Sequence, residues 1–170
     1  MITMSRLETL VLRAERVCTA VSGAALVVLA ALMTVEVVLR YAVGSPLSWS
    51  MSFITEYLLL GMFFLAMSPT WRLGGHVRID VLYTRMPPRV RRSLDVGGNV
   101  LCLLFAALLL YAGLLATHGA WAGGEIPPPG GAELSWPTWI SRALLPIGAA
   151  VLVLRLISAV FTPTTTAEER

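Results

Sequence analysis

The sequence is poor in the residues on which most catalytic and metal-binding sites depend. It contains two histidines and two cysteines, and the cysteines do not form a Cys-x-x-Cys pair. A haem-bearing membrane anchor would need axial histidines within its helices, and a disulfide oxidase would need cysteine pairs in its outer loops. Neither requirement is met, and the sequence shows no hydrolase triad or phosphate-binding glycine loop. We therefore expect a protein that is not an enzyme and that has no cofactor or metal ion.

Lysine is absent, and charged residues of any kind are scarce. All 13 basic residues are arginines, charged residues make up 14% of the chain and hydrophobic residues make up 56%. A soluble domain has roughly 25% charged residues. The net charge of +3 does not indicate a nucleic-acid partner, because the arginines flank apolar stretches and form no free basic face. Such arginines are typical of contacts to lipid headgroups.

Four long apolar stretches predict an all-α, polytopic membrane protein. About 20 apolar residues cross a hydrocarbon core about 30 Å thick. The predicted spans are residues 17–39, 49–70, 94–117 and 138–161.

The segments outside the spans are of three kinds. Residues 1–16 predict an amphipathic helix with Leu7, Leu10, Val11 and Ala14 on its apolar face. Residues 71–93 are too polar to span and predict an interfacial amphipathic segment between the second and third helices. Glycine and proline fill the loop at residues 118–137, and the polar residues 162–170 form a tail.

The arginines also predict the orientation of the chain. Only Arg40 and Arg142 lie on the side of the spans opposite to the other arginines. The positive-inside rule then places both termini in the cytoplasm and residues 118–137 in the periplasm.

Two acids lie within predicted spans and are therefore candidate functional residues. Glu36 is four residues before Arg40, so the two can pair on one helix face. Three roles remain open for Glu36 and Glu56: an intrahelical pair with a hydrated carboxylate, a contact to another subunit, or a coupling site for protons or cations. Arg142 and Arg155 lie near opposite ends of the fourth span, and each is expected to extend to its own interface.

Further candidates lie at the membrane surfaces. Trp49 occupies a position that suits an interfacial aromatic residue. His76 and Asp80 are four residues apart, but two ligands are too few for a metal site. Gly97 and Gly98 would allow another helix to approach closely. The residues expected to contact a subunit or lipid are Glu36, Arg40, Trp49, Glu56, His76, Arg78, Asp80, Arg89, Arg91 and Arg92.

Several segments resemble the small permease subunit of tripartite ATP-independent periplasmic (TRAP) transporters, the DctQ-like family. They are Glu36-Val37-Val38-Leu39-Arg40-Tyr41 followed by Pro46-Leu47-Ser48-Trp49, Arg72-Leu73-Gly74-Gly75-His76-Val77-Arg78-Ile79-Asp80-Val81-Leu82, Met86-Pro87-Pro88-Arg89-Val90-Arg91, Pro137-x-Trp139 and Pro146-Ile147-Gly148. The similarity covers about residues 10–160. One departure is that Met51 and Ser52 occupy positions where the family often has glutamate, and the acid appears later, as Glu56.

The resemblance implies a non-catalytic subunit in a bacterial inner membrane. Its expected partners are a large permease subunit, which it would scaffold for sodium-coupled transport, and a periplasmic protein that delivers an organic acid. A self-sufficient, homo-oligomeric small transporter is the alternative. A redox-complex membrane anchor is a further alternative, against which the absence of histidines within the spans argues.

Overall fold

The computed structural model describes residues 2–45, 47–73, 87–126 and 136–161. These residues form four long helices and no strand. The helices are α1 (Ile2–Val38), α2 (Ser50–Arg72), α3 (Pro88–Ala122) and α4 (Thr138–Phe161). Each is long and apolar enough to cross a membrane. The predicted all-α architecture with four spanning helices is therefore confirmed.

Two of the helices are much longer than the spans predicted from the sequence. α1 has 37 residues and α3 has 35, which correspond to about 55 Å and about 50 Å at 1.5 Å per residue. α1 runs without interruption from the N-terminal amphipathic segment into the first span, as its sequence led us to expect. Pro87 is extended and Pro88 occupies the first turn of α3, where a missing N–H costs nothing.

The interfacial segment expected at residues 71–93 is only partly described. Its first residues belong to the end of α2, and its last residues belong to α3. Residues 74–86, which include His76, Arg78 and Asp80, lie outside the described residues.

The turn between α1 and α2 is flanked by two π-helical stretches. α1 continues as a π-helix over Leu39–Val43, which ends at Gly44 with φ of 72°, a backbone conformation that favours glycine. Within α2, residues Ile54–Leu59 are π-helical and the flanking residues are α-helical. A π-turn adds one residue to a helical turn and so rotates the side chains on either side of it relative to each other.

α4 is the central helix, because it packs against each of the other three. α3 packs extensively only on α4, whereas α1 packs on both α2 and α4. The buried centre of the bundle consists of Ala106, Leu152 and Leu156, surrounded by Met67, Trp71, Leu103 and Val153. Large parts of α1 and α3 are thus left for lipid or for another chain.

The tightest crossings between the helices occur at two glycines. A Cβ atom at Gly148 of α4 would overlap the backbone oxygen of Phe64 in α2, and one at Gly113 of α3 would overlap α4. By contrast, a Cβ atom at Gly97 or Gly98 would have no such neighbour within 4 Å. Among the described helices, close approach therefore occurs at other glycines than those expected from the sequence.

Candidate functional site

One face of α1 points into the bundle and carries two glutamates. Buried or half-buried side chains recur along it at alternating intervals of four and three residues: Val11, Glu15, Cys18, Ser22, Ala25, Leu29, Leu32, Glu36 and Leu39. This spacing keeps one helical seam against neighbouring helices. Glu15 is 1% exposed and Glu36 is 8% exposed. The separation of 21 residues between them (36 minus 15) corresponds to about 30 Å.

Glu36 closes the turn between α1 and α2. Its Oε1 accepts a hydrogen bond from Nη2 of Arg40 at 3.0 Å, which confirms the expected intrahelical pair. Its Oε2 accepts from the backbone N–H of Leu47 and from the hydroxyl of Ser50, both at 3.0 Å. The second oxygen thus fixes the start of α2 to the end of α1, a role that the sequence did not predict.

Substituting Glu36 by alanine is expected to release the Leu47 amide. The N–H of Leu47 would lose its carboxylate acceptor, so its hydrogen exchange should accelerate on the order of tenfold. Hydrogen–deuterium exchange with fragments covering the turn measures this rate. Thr34→Ala is the matched control, because the Thr34 hydroxyl bonds only to the backbone of its own helix. Equal exchange in wild type and Glu36→Ala would show that the carboxylate does not hold the turn.

Glu56 lies in the first turn of the π-helical stretch of α2. Its side chain is half-exposed. Among the described residues it has no hydrogen-bond or ion-pair partner, in contrast to Glu36. An ionised carboxylate within a span is costly unless a partner or water stabilises it. π-helical turns often coincide with functional sites because they redirect a side chain.

Trp49 belongs to an aromatic group at the same end of the bundle as Glu36. Its ring meets that of Phe53 edge to face at a centroid distance of 6.1 Å. Phe53 stacks on Tyr57 at 5.7 Å, and Trp136 contacts both rings edge to face at 6.1 and 5.6 Å. These contacts join the start of α2 to the segment that precedes α4.

At the opposite end of the bundle, a buried charge cluster joins three helices. Its members are Glu15 of α1, Ser68 and Arg72 of α2, and Arg155 of α4, which we call the Glu15 cluster. Arg155 donates Nε to Oε1 at 2.7 Å and Nη2 to Oε2 at 2.6 Å. The Ser68 hydroxyl donates to Oε1 at 2.8 Å, and Nε of Arg72 lies 2.9 Å from Oε2. Both oxygens of Glu15 therefore have two partners.

Arg155 pairs within the bundle and does not extend outward on its own as the sequence suggested. Its side chain is 10% exposed and turns inward to Glu15. The two-pronged guanidinium–carboxylate pair offsets the cost of burying both charges. Glu15 was not expected to be buried, because the apolar face predicted for residues 1–16 included Leu10, which is 62% exposed. The alternating spacing shared with Val11 and Cys18 is the signal that could have revealed it.

The other predicted residues lie apart from the Glu36 turn. Arg89 near the start of α3 is exposed, Arg91 is half-buried, and Arg92 belongs to the same helix. α3 and α4 are antiparallel, since Ala106 packs near Leu152 while Gly113 meets the first half of α4. The three arginines are thus at the end of the bundle that holds the Glu15 cluster.

A comparison with family models agrees with this architecture. The model described as "Tripartite ATP-independent periplasmic transporters, DctQ component" matches residues 29–166. None of the curated proteins compared with the chain matches it. The matched region includes the Glu36 turn, α2, α3 and α4, and it covers well over half of the chain. The chain therefore belongs to the DctQ family, the small membrane component of tripartite ATP-independent periplasmic transporters.

Proposed function

We propose that this chain is the non-catalytic small permease subunit of a bacterial inner-membrane TRAP transporter. In this role it stabilises a large permease subunit, which takes up an organic acid with a sodium gradient. A periplasmic binding protein delivers the acid. The arginine-rich end of the bundle, with both termini, faces the cytoplasm, and the Glu36 turn faces the periplasm.

The placement of charge is the observation that carries this proposal. Transporters bind polar substrates and coupling ions near the middle of the membrane, on broken helices. In this chain the Glu15 cluster and the Glu36 turn lie about 30 Å apart. Between their levels, the described helices carry few charged residues, chiefly Glu56 of α2 and Arg142 of α4, and Arg142 is paired with Glu125. The bundle therefore has little with which to move a polar solute by itself.

The contacts between helices support a static role. The Glu15 cluster fixes α1, α2 and α4 at one end, and Glu36 fixes α1 to α2 at the other. At the Glu36 end, the residues that follow α3 are linked to α4 by the ion pair of Glu125 with Arg142 at 2.7 Å. Ties at both ends favour a rigid body, against which the moving parts of a larger permease can work.

Co-purification tests the proposal directly. The chain is tagged and co-expressed with the large permease and the binding protein from the same organism, then extracted in mild detergent. We expect the large permease in the eluate at a fixed ratio to the tagged chain. Recovery of the chain only with copies of itself would contradict the proposal and favour a homo-oligomeric transporter.

Glu56 is expected to contribute to assembly and not to substrate recognition. Because it has no partner within the described chain, we expect Glu56→Ala to lower the affinity for the large permease roughly tenfold, equivalent to about 1.4 kcal/mol. The affinity of the binding protein for its substrate should stay the same. Titration of the two subunits in lipid nanodiscs measures assembly. Thr55→Ala, which removes an exposed neighbouring side chain, is the matched control; a Glu56→Ala variant that assembles like this control would contradict the assignment.

A further inference from the structure

Arg72 at the end of α2 has hydrogen-bonding capacity that the bundle does not use. Its Nε faces Glu15, and its side chain is 41% exposed. Neither terminal nitrogen of its guanidinium has an acceptor among the described residues. Because Nε is the nitrogen that contacts Glu15, the edge formed by the two terminal nitrogens remains for another acceptor. This edge can bind two oxygens of one acceptor at once.

The Glu15 cluster also carries an excess positive charge. One carboxylate faces two guanidiniums, so the net charge is +1 when all three are ionised. Arg155 takes both oxygens of Glu15 in its two-pronged pair and is 10% exposed. The uncompensated charge therefore resides on Arg72, the more exposed of the two arginines.

Arg72 ends an apolar helix at the position where lipid phosphates are expected. Trp71 packs on the buried centre of the bundle immediately before it, and tryptophan is enriched at membrane interfaces. Arg72 ends α2, and Glu15 lies two residues before the first apolar stretch of α1. These positions predict that the guanidinium lies near the level where the hydrocarbon core meets the headgroups.

We propose that Arg72 and the Glu15 cluster form a binding site for the phosphate of one anionic phospholipid. The two terminal nitrogens of Arg72 donate to two phosphate oxygens, and the lipid neutralises the charge that Glu15 leaves uncompensated. The acyl chains lie along the apolar surface of the adjacent helices. The lipid would complete the charge cluster that fixes three helices together.

Native mass spectrometry of the chain, released from nanodiscs of phosphatidylglycerol and phosphatidylethanolamine, tests this site. Wild type should retain one phosphatidylglycerol in preference to phosphatidylethanolamine, and Arg72→Gln should reduce this preference about fivefold. Arg16→Gln is the matched control, because it removes an exposed arginine from the same end of the bundle and should leave the preference intact. Unfolding temperatures show whether each variant is folded. Arg72→Lys keeps the positive charge but loses the pair of terminal nitrogens that can bind two phosphate oxygens at once. A folded Arg72→Lys variant should therefore show a preference for phosphatidylglycerol between those of wild type and Arg72→Gln.

Several outcomes would overturn the proposal. Equal losses in Arg72→Gln and Arg16→Gln would indicate diffuse attraction to the membrane surface. Displacement of the lipid by millimolar inorganic phosphate would indicate a site for the free anion. Unchanged lipid retention together with loss of the large permease from Arg72→Gln would indicate that an acidic side chain of that subunit occupies the site.

Discussion

Replacing Glu15 by alanine is expected to lower the free energy of unfolding by about 3–5 kcal/mol. The substitution would leave the guanidinium of Arg155 buried without its carboxylate, and Ser68 would lose its acceptor. Because the carboxylate joins three helices, its loss should loosen α1, α2 and α4 together. The measurement is the unfolding temperature of the purified chain in detergent, compared with that of wild type.

Replacing both Glu15 and Arg155 by apolar residues separates the effect of an unpaired buried charge from the effect of lost packing. Replacing a buried ion pair by apolar residues is often neutral or stabilising, so Glu15→Leu combined with Arg155→Leu should be more stable than Glu15→Ala alone. Glu8→Ala is the matched control, since Glu8 is an exposed acid on the same helix. A Glu15→Ala variant that unfolds at the temperature of Glu8→Ala would show that the cluster does not hold the helices.

Replacing Gly148 by alanine is expected to have the second-largest effect. The added Cβ atom would overlap the backbone oxygen and carbonyl carbon of Phe64, and backbone atoms cannot rotate away as a side chain can. α4 would have to move away from α2, at a cost of about 1–3 kcal/mol. This shift should also disturb the Glu15 cluster, because α4 carries Arg155. The measurement is again the unfolding temperature in detergent.

Gly97→Ala is the matched control for this substitution. It adds the same methyl group at a position where, apart from the neighbouring backbone of its own helix, no heavy atom lies within 4 Å. Alanine also forms helices better than glycine by about 1 kcal/mol, so this variant should unfold at the wild-type temperature or above it. If Gly148→Ala were as stable as Gly97→Ala, the close crossing of α4 and α2 would not exist in the folded protein.

The features that were predictable from the sequence are those that depend on local composition. Apolar runs of sufficient length specified the four helices, because backbone groups within a bilayer must bond internally. The pair of Glu36 with Arg40 followed from a spacing of four residues on one helix. Pro88 indicated the start of α3 through its fixed φ and its missing donor.

The features that were missed depend on how the helices are arranged. Glu15 and Arg155 are 140 positions apart, and no local pattern indicates that they meet. The π-helical stretch at Ile54–Leu59 adds one residue to a turn without a change in composition, so it leaves no signal in the sequence. Which glycines lie at crossings depends on the rotation of each helix, and for this reason Gly113 and Gly148 were not singled out.

Only the local contacts of Glu36 were predictable from the sequence, because its other contacts depend on the arrangement of the helices. The partner within α1 followed from helical spacing, whereas Leu47 and Ser50 depend on how the chain folds back after Gly44. Glu36 and Glu15 share a face of α1 because they are 21 residues apart, which is three heptads. A search for charged residues at that interval would have connected the two ends of the bundle.

Substrate uptake by the large permease tests the central claim most directly. The large permease and the binding protein are reconstituted or expressed with this chain present or omitted, and sodium-dependent uptake of the organic acid is measured together with permease abundance. The account predicts that omission abolishes uptake or removes the permease from the membrane. Unchanged uptake at unchanged permease abundance would contradict it.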